Sequence, residues 1–359
     1  MDPFVYPFAY NQLPGRVVFG AGALDHLLRE IELLGASRAL VLSTPEQQVQ
    51  AEDVARRLGA RCAGIFPRAV MHVPIETARE ARAEAKRLGA DCAVAIGGGS
   101  TTGLGKAIAL ESALPILAIP TTYAGSEMTP IYGITEAGMK KTGRDRKVLP
   151  RTVIYDPLLT LGLPAGLSAT SGMNAIAHAV EGLYAEDANP IMAMMAEEGI
   201  RALAAGLPRV QQTPADIDAR ADCLYGAWLC GAVLGAVGMA LHHKLCHTLG
   251  GTWNLPHAET HTIVLPHAVA YNTAAAPEAM RRVARALGLN GASSAASGLF
   301  DLAKSLGAPV ALKAIGMPES ELDRAADIAV QSPYYNPRPI DRAAIRQLLD
   351  DAYHGRRPA

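Results

Sequence analysis

Seven of the ten histidines in this chain fall between residues 178 and 267: His178, His242, His243, His247, His257, His261 and His267. A lone histidine is usually a satisfied core or surface residue. This density, on helical spacings, suits metal ligation or proton transfer instead. Asn174 and His178 are four residues apart, as are His243 and His247, so each pair shares one face of a helix. His257 follows Pro256 in the next loop. His242, His261 and His267 show no matching partner pattern and read as structural.

A second chemical signal lies upstream. Gly97-Gly98-Gly99-Ser100-Thr101-Thr102 follows a buried strand and leads into a helix read as Gly103 to Glu111. Glycines at a strand-to-helix turn let backbone approach a ligand closely, and the free N–H groups there suit a phosphate. Lys106 is placed to add a charge. The pattern is neither G-x-G-x-x-G nor a P-loop, and a plain tight turn would show the same tripeptide. A neighbouring loop, Pro120-Thr121-Thr122-Tyr123-Ala124-Gly125-Ser126-Glu127, is rich in hydroxyls and also leaves the carboxyl end of a strand, where open α/β sheets bind ligands. Thr121, Thr122 and Ser126 are its candidate contacts. Ser43-Thr44-Pro45 follows another strand and offers no acid to bond a ribose 2′-hydroxyl, so both NADH and NADPH are expected to serve.

The elements that position these residues are legible from period and punctuation. Arg16–Phe19, Ala39–Leu42, Cys92–Ile96 and Ile116–Ile119 read as short strands. Ala23 to Leu34, Glu46 to Leu58 and Thr77 to Leu88 read as helices, each closed by glycine (Gly35, Gly59, Gly89). Alternation of this kind predicts an α/β, doubly wound, mostly parallel sheet. No convincing strand follows Thr152–Pro157. Ala- and Leu-rich stretches at 168–185, 193–205, 215–250, 277–287, 295–306, 319–330 and 341–353 predict an all-α domain. The boundary is placed near 160, giving a dinucleotide-binding domain at 1–160 and a helical substrate domain at 161–359, with the active site expected in the cleft between them.

Composition narrows the function classes. The chain has 359 residues, enough for two domains. With 50% hydrophobic residues, 19% charged residues and a net charge of −1, it offers no field for nucleic acid or anionic lipid. Its five cysteines form no CxxC pair, which argues against a disulfide framework or zinc ribbon. The first residues lack the charge and hydrophobic run of a signal peptide, so a cytoplasmic protein is expected. The uncharged stretch Cys223 to Leu241 is borderline for a membrane span. Its glycines (Gly226, Gly231, Gly235, Gly238) fit better a buried helix that neighbours approach closely.

Together these residues resemble the iron-containing alcohol dehydrogenase family, which shares its two-domain plan with dehydroquinate synthase. The matching elements run in order through nearly the whole chain: Gly97-Gly98-Gly99-Ser100 with Lys106, Pro120-Thr121-Thr122 and Gly125-Ser126-Glu127, and Tyr155-Asp156-Pro157. Then come Gly172-Met173-Asn174 with His178 and Glu181, His243, His247-Thr248-Leu249-Gly250, and Pro256-His257. The resemblance implies a homodimer, a metal site of one Asp and three His falling on Asn174, His178, His243 and His257, and a further histidine, His247, near the nicotinamide. The chain departs at Asn174, where the family has Asp, and at Gly103, where Asp is common. With those departures it is similar to the branch that reduces maleylacetate, as are Thr101-Thr102-Gly103-Leu104-Gly105-Lys106 and Tyr334-Tyr335-Asn336-Pro337-Arg338-Pro339. That implies reduction of a carbon–carbon double bond to give 3-oxoadipate, in bacterial breakdown of resorcinol, hydroxyquinol and chloroaromatic compounds.

The chemistry agrees with the departures. An alcohol dehydrogenase stabilises an alkoxide with a Lewis-acid metal. Replacing the carboxylate ligand by an amide weakens the site for a divalent cation. Hydride addition to a conjugated ketone leaves an enolate, far less basic than an alkoxide. Hydrogen-bond donors can hold it without metal, and a histidine can protonate the alpha carbon near neutral pH. The site is therefore expected to need no metal. His243 and His247 are the first candidates for these roles, with His178, His257 and Asn174 completing the pocket. The substrate is a small dicarboxylate, and Arg338 and Lys244 are candidates for its carboxylates. The rival within the family is a metal-dependent alcohol or polyol dehydrogenase. A phosphate-eliminating cyclase would need a basic cluster that the sequence does not show, and a small-molecule sensor would not need so many histidines.

Overall fold

The computed structural model describes residues 10, 13 and 15–359, apart from 138, 293, 332 and 333. The described chain forms two compact units, the first ending at Leu163 and the second beginning at Pro164.

In the first unit the strands are β1 (Arg16–Phe19), β2 (Ala39–Leu42), β3 (Cys62–Phe66), β4 (Cys92–Gly97), β5 (Ile116–Pro120), β6 (Ile131–Glu136), β7 (Met139–Arg144) and β8 (Thr152–Tyr155). Six of them make a wholly parallel sheet in the order β1-β8-β5-β4-β2-β3. The helices are α1 (Leu27–Leu33), α2 (Gln48–Leu58), α3 (Ile75–Leu88) and α4 (Gly99–Ser112). Strands β2, β4 and β5 are buried along their whole length, as runs of Val, Ile, Leu and Ala covered on both faces must be. The glycines expected to close the first three helices do so, with φ of 70° at Gly35, 54° at Gly59 and 61° at Gly89.

Three features differ from the sequence reading. β3 is a strand whose Gly64 packs against Leu88. A central glycine and an edge position gave it no clean pattern. The antiparallel pair β6 and β7 was also unforeseen, since Met139–Arg144 is dominated by cations and lacks alternation. Finally, α4 begins at Gly99 rather than Gly103, so Ser100, Thr101 and Thr102 form its first turn. At Gly103 itself an added Cβ would lie 2.8 Å from the Val73 side chain, which explains why no larger residue stands there.

The second unit is helical: α5 (Ala165–Gly182), α6 (Pro190–Gln212), α7 (Ile217–Ala236), α8 (Leu241–Trp253), α9 (His257–Asn272), α10 (Pro277–Ala286), α11 (Ser294–Ser305), α12 (Leu322–Val330) and α13 (Arg342–His354). The stretch read as one helix over 215–250 is two, α7 and α8, bent by 94°. Among the described residues no single helix is long and apolar enough to cross a membrane. Gly226 shows the close approach its neighbours require, since a Cβ there would meet Leu203 Cγ at 2.7 Å and the Gly199 carbonyl at 2.8 Å. Helix α9 carries no clear sequence signature because Pro266 lies inside it and because polar and apolar residues alike are buried around it, which erases the one-sided pattern.

Candidate active site

In the α/β unit, the loops that follow β2, β4 and β5 come together at the carboxyl edge of three adjacent strands. Gly97 has φ of 146°, a conformation that L side chains rarely adopt, and Gly98 is in contact with Thr122, 3.1 Å from where its own Cβ would stand. The chain can thus turn directly from β4 into α4 and present the N–H groups of Gly99, Ser100 and Thr101 at the helix start. The hydroxyls of Ser43 and Thr101 are buried there without a hydrogen-bond partner in the protein. Thr121 accepts a 2.7 Å bond from Gln47 Nε2. Thr44 follows Ser43 at the end of β2, and Ser126 sits past Gly125 in the β5 loop. The residues expected to hold the coenzyme therefore share one edge of the sheet.

Lys106 departs from its expected part. Its ammonium is buried and donates to the Ser126 carbonyl (2.6 Å), Thr129 Oγ1 (2.9 Å) and the Ile131 carbonyl (2.7 Å). It braces the loop after β5 instead of meeting a phosphate. Burial pulls its pKa down to about 7, against the pull of buried Glu127. Glu127 in turn accepts a 2.7 Å bond from the Tyr155 hydroxyl.

The helical unit gathers the histidines. Asn174, His178 and Glu181 lie on α5, His242, His243 and His247 on α8, and His257 and His261 on α9. Ring centroids are 5.2 Å apart for His178 and His243, 6.1 Å for His243 and His247, and 6.5 Å for the stacked pair His247 and His257. The five proposed groups thus form one cluster, with His247 exposed and Asn174, His178 and His243 buried. Asn174 Oδ1, His178 Nδ1 and His243 Nε2 are buried without hydrogen-bond partners in the protein. Groups left so are expensive unless a ligand satisfies them.

Glu181 organises this cluster, a role the sequence reading did not assign. Its carboxylate accepts from the backbone N–H of Ala240 (2.9 Å), His242 (2.7 Å) and His243 (3.3 Å), capping the start of α8 with an anion supplied by α5. The same oxygen that meets Ala240 accepts a hydrogen bond from His243 Nδ1 at 2.6 Å. An ionised carboxylate only accepts, so Nδ1 carries the proton and Nε2 is left to do chemistry. His242 and His261, read as structural, also belong here: they bond to each other at 2.9 Å, and His261 lies 4.3 Å from His257 and 4.9 Å from His243 between ring centroids. Burial and mutual repulsion hold His178, His242 and His261 well below the usual histidine pKa, so all three are neutral at pH 7. His267 stands apart, neutral for the same reason of burial, with its pKa pushed down to about 4.

The set Asn174, His178, His243 and His257 offers a divalent ion three imidazoles and an amide, a weaker site than one that includes a carboxylate. The residue that would bring charge is an amide, and Glu181 has both oxygens committed to α8. Among the described residues, the histidine, cysteine and carboxylate group with ligand atoms within 4.8 Å of one another is His242, Cys246 and His261, which shares no member with that set. Arg338 lies 4.0 Å from the Tyr271 ring centre, and Lys244 lies 5.6 Å from that of Tyr334. Arg338 also donates to the Tyr271 carbonyl at 3.2 Å, and neither cation is paired with a carboxylate among the described residues.

Comparison with known proteins gives a consistent picture. Residues 14–157 match the iron-containing alcohol dehydrogenase family, and residues 168–353 match the C-terminal part of the same family. The chain is 70% identical over 352 residues to the maleylacetate reductase of Burkholderia cepacia, covering 98% of this chain and 99% of that one. It is 59% identical over 351 residues to the maleylacetate reductase of Pseudomonas sp. strain P51, again covering 98% and 99%. The crystal structure of maleylacetate reductase from Agrobacterium tumefaciens superposes with a TM-score of 0.95 at 55% identity, over 99% of this chain and all of that one.

Proposed function

This chain belongs to the iron-containing alcohol dehydrogenase family, and we propose that within it the chain reduces the carbon–carbon double bond of maleylacetate with NADH or NADPH, without a metal. The observation that carries the chemistry is the Glu181–His243 pair, whose Nε2 is buried without a partner near His178, 5.2 Å away between ring centroids, in a cluster without a carboxylate to spare.

The reaction needs a hydride, a place for an enolate, and a proton. A bound NADH or NADPH would supply the hydride, with its diphosphate held at the N–H groups of the Gly97–Thr101 turn. It adds to the alkene carbon beta to the ketone, and the ketone oxygen takes up the electron pair as an enolate. Neutral imidazoles and the Asn174 amide are dipoles fixed in a buried site, where hydrogen bonds to a developing anion are strong. Protonation at the carbon alpha to the ketone completes 3-oxoadipate. The net change is one hydride and one proton taken up, with the coenzyme oxidised. His243 and His247 are the proton carriers we favour. His247 is exposed and so can exchange protons with solvent, while His243, its Nδ1–H held by Glu181, can give a proton from Nε2 only after taking one up there as an imidazolium. The substrate's two carboxylates call for cations, a part we assign to Arg338 and Lys244.

The same reading takes the enzyme to be a cytoplasmic homodimer. All five cysteines are free, which suits a reducing compartment. The function is tested by following NADH absorbance with freshly prepared maleylacetate, and by identifying 3-oxoadipate as product. Oxidation of an alcohol or polyol, with no turnover of maleylacetate, would transfer the assignment to the dehydrogenase branch.

A further inference from the structure

The turn that follows β2 holds a carboxylate beside the coenzyme edge. Strand β2 is the immediate neighbour of β4, whose end forms the Gly97–Gly98 turn. Immediately past β2, Pro45–Gln47 makes one turn of tight helix. Gln47 anchors that turn across the sheet edge. Its Nε2 donates to Thr121 at the end of β5, and its Oε1 lies 2.5 Å from where a Cβ on Gly97 would stand. Glu46, next to it, is exposed. Its own backbone N–H and the Thr44 hydroxyl favour the charged carboxylate and hold its pKa below the ordinary value for glutamate. From Ser43 to Gln50 the sequence is Ser-Thr-Pro-Glu-Gln-Gln-Val-Gln, with no cation. Farther along α2, Arg56 and Arg57 are paired with Asp53, and Arg57 also with Asp25.

We propose that Glu46 reads the adenosine ribose of the coenzyme, accepting a hydrogen bond from the 2′-hydroxyl of NADH and repelling the 2′-phosphate of NADPH. Ser43-Thr44-Pro45 offers no acid, which is why the sequence alone leads to tolerance of both coenzymes. The tight turn brings the acid back, one residue beyond that window. An anion just past the strand next to the glycine turn selects an unphosphorylated ribose in open α/β sheets. Arg68, on the loop that Ala69 bonds to Ser43, is paired with Glu80.

This inference rests on the use of a nicotinamide dinucleotide, so its test measures binding separately from turnover. NADH and NADPH are each titrated against the full-length protein by quenching of protein fluorescence, for the wild type, Glu46→Gln and Glu46→Arg. The wild type should bind NADH at least about tenfold more tightly than NADPH. Glu46→Gln should shrink that ratio to about threefold or less, and Glu46→Arg should reverse it. The kcat/KM ratio with maleylacetate should follow. If Glu46→Gln shifts the ratio by less than about twofold, or the wild type binds both equally, the assignment of Glu46 is overturned and the reductase reading stands. If neither coenzyme binds, both fall.

Discussion

A single carboxylate, Glu181, holds His243, the histidine proposed to react. It carries the cap of α8 and the His243 proton together, with partners between 2.6 and 3.3 Å. Glu181→Gln keeps the shape but presents an amide that cannot accept on both sides. We expect kcat to fall about 10- to 100-fold and the fold to lose about 1–3 kcal/mol. NADH affinity should be unchanged, because the coenzyme residues lie in the other unit. An equal loss of NADH binding, measured by fluorescence titration, would contradict this positioning role. His243→Asn should cost at least about 100-fold in kcat with maleylacetate, again with NADH binding intact. The histidines themselves were legible, because four-residue spacing is a local signal. The role of Glu181 was not, since it joins residues some sixty positions apart. For the same reason His242 and His261 read as bland residues: their partnership crosses from α8 to α9 and has no trace in either helix alone.

At the level of elements, the β4–α4 turn is the part most exposed to test. Gly97→Ala would force a left-handed φ of 146° on a residue with a side chain and push a Cβ against Gln47 and Thr101. NADH affinity should drop at least about tenfold while the helical unit keeps its far-ultraviolet signature; unaltered affinity would remove the turn from the coenzyme site. The alternation of strands and helices was readable because each core strand is a short apolar run and each of the first helices ends on glycine. The errors share a cause. Gly99–Thr102 looked like loop because glycine and threonine are weak helix formers, yet tertiary packing starts α4 there. The pair β6 and β7 is too polar to announce itself, and the break between α7 and α8 is hidden in uniformly apolar sequence.

For the molecule as a whole, the buried neutral histidines make stability depend on pH. His178, His242, His261 and His267 all have folded-state pKa values below the unfolded value of about 6.5. Below that pH the unfolded chain binds protons that the native chain refuses, so stability falls with acidification, by up to about 1.4 kcal/mol per pH unit for each group. Glu127 works in the opposite sense, its pKa raised by burial, but it is one group against four. The melting temperature should therefore fall steadily from pH 6.5 to pH 5, and His267→Gln, which removes one such group outside the active cluster, should flatten the curve; a flat wild-type profile would mean that these imidazoles are protonated in the native state. The central claim is that fixed neutral dipoles, and no cation, carry the enolate. It is met most directly by dialysing the enzyme against a strong chelator, confirming by elemental analysis that iron, zinc and manganese are gone, and measuring NADH-dependent reduction of maleylacetate. The account predicts an unchanged rate, with no gain on adding ferrous or zinc ions; loss of turnover on stripping, restored by either ion, would contradict it.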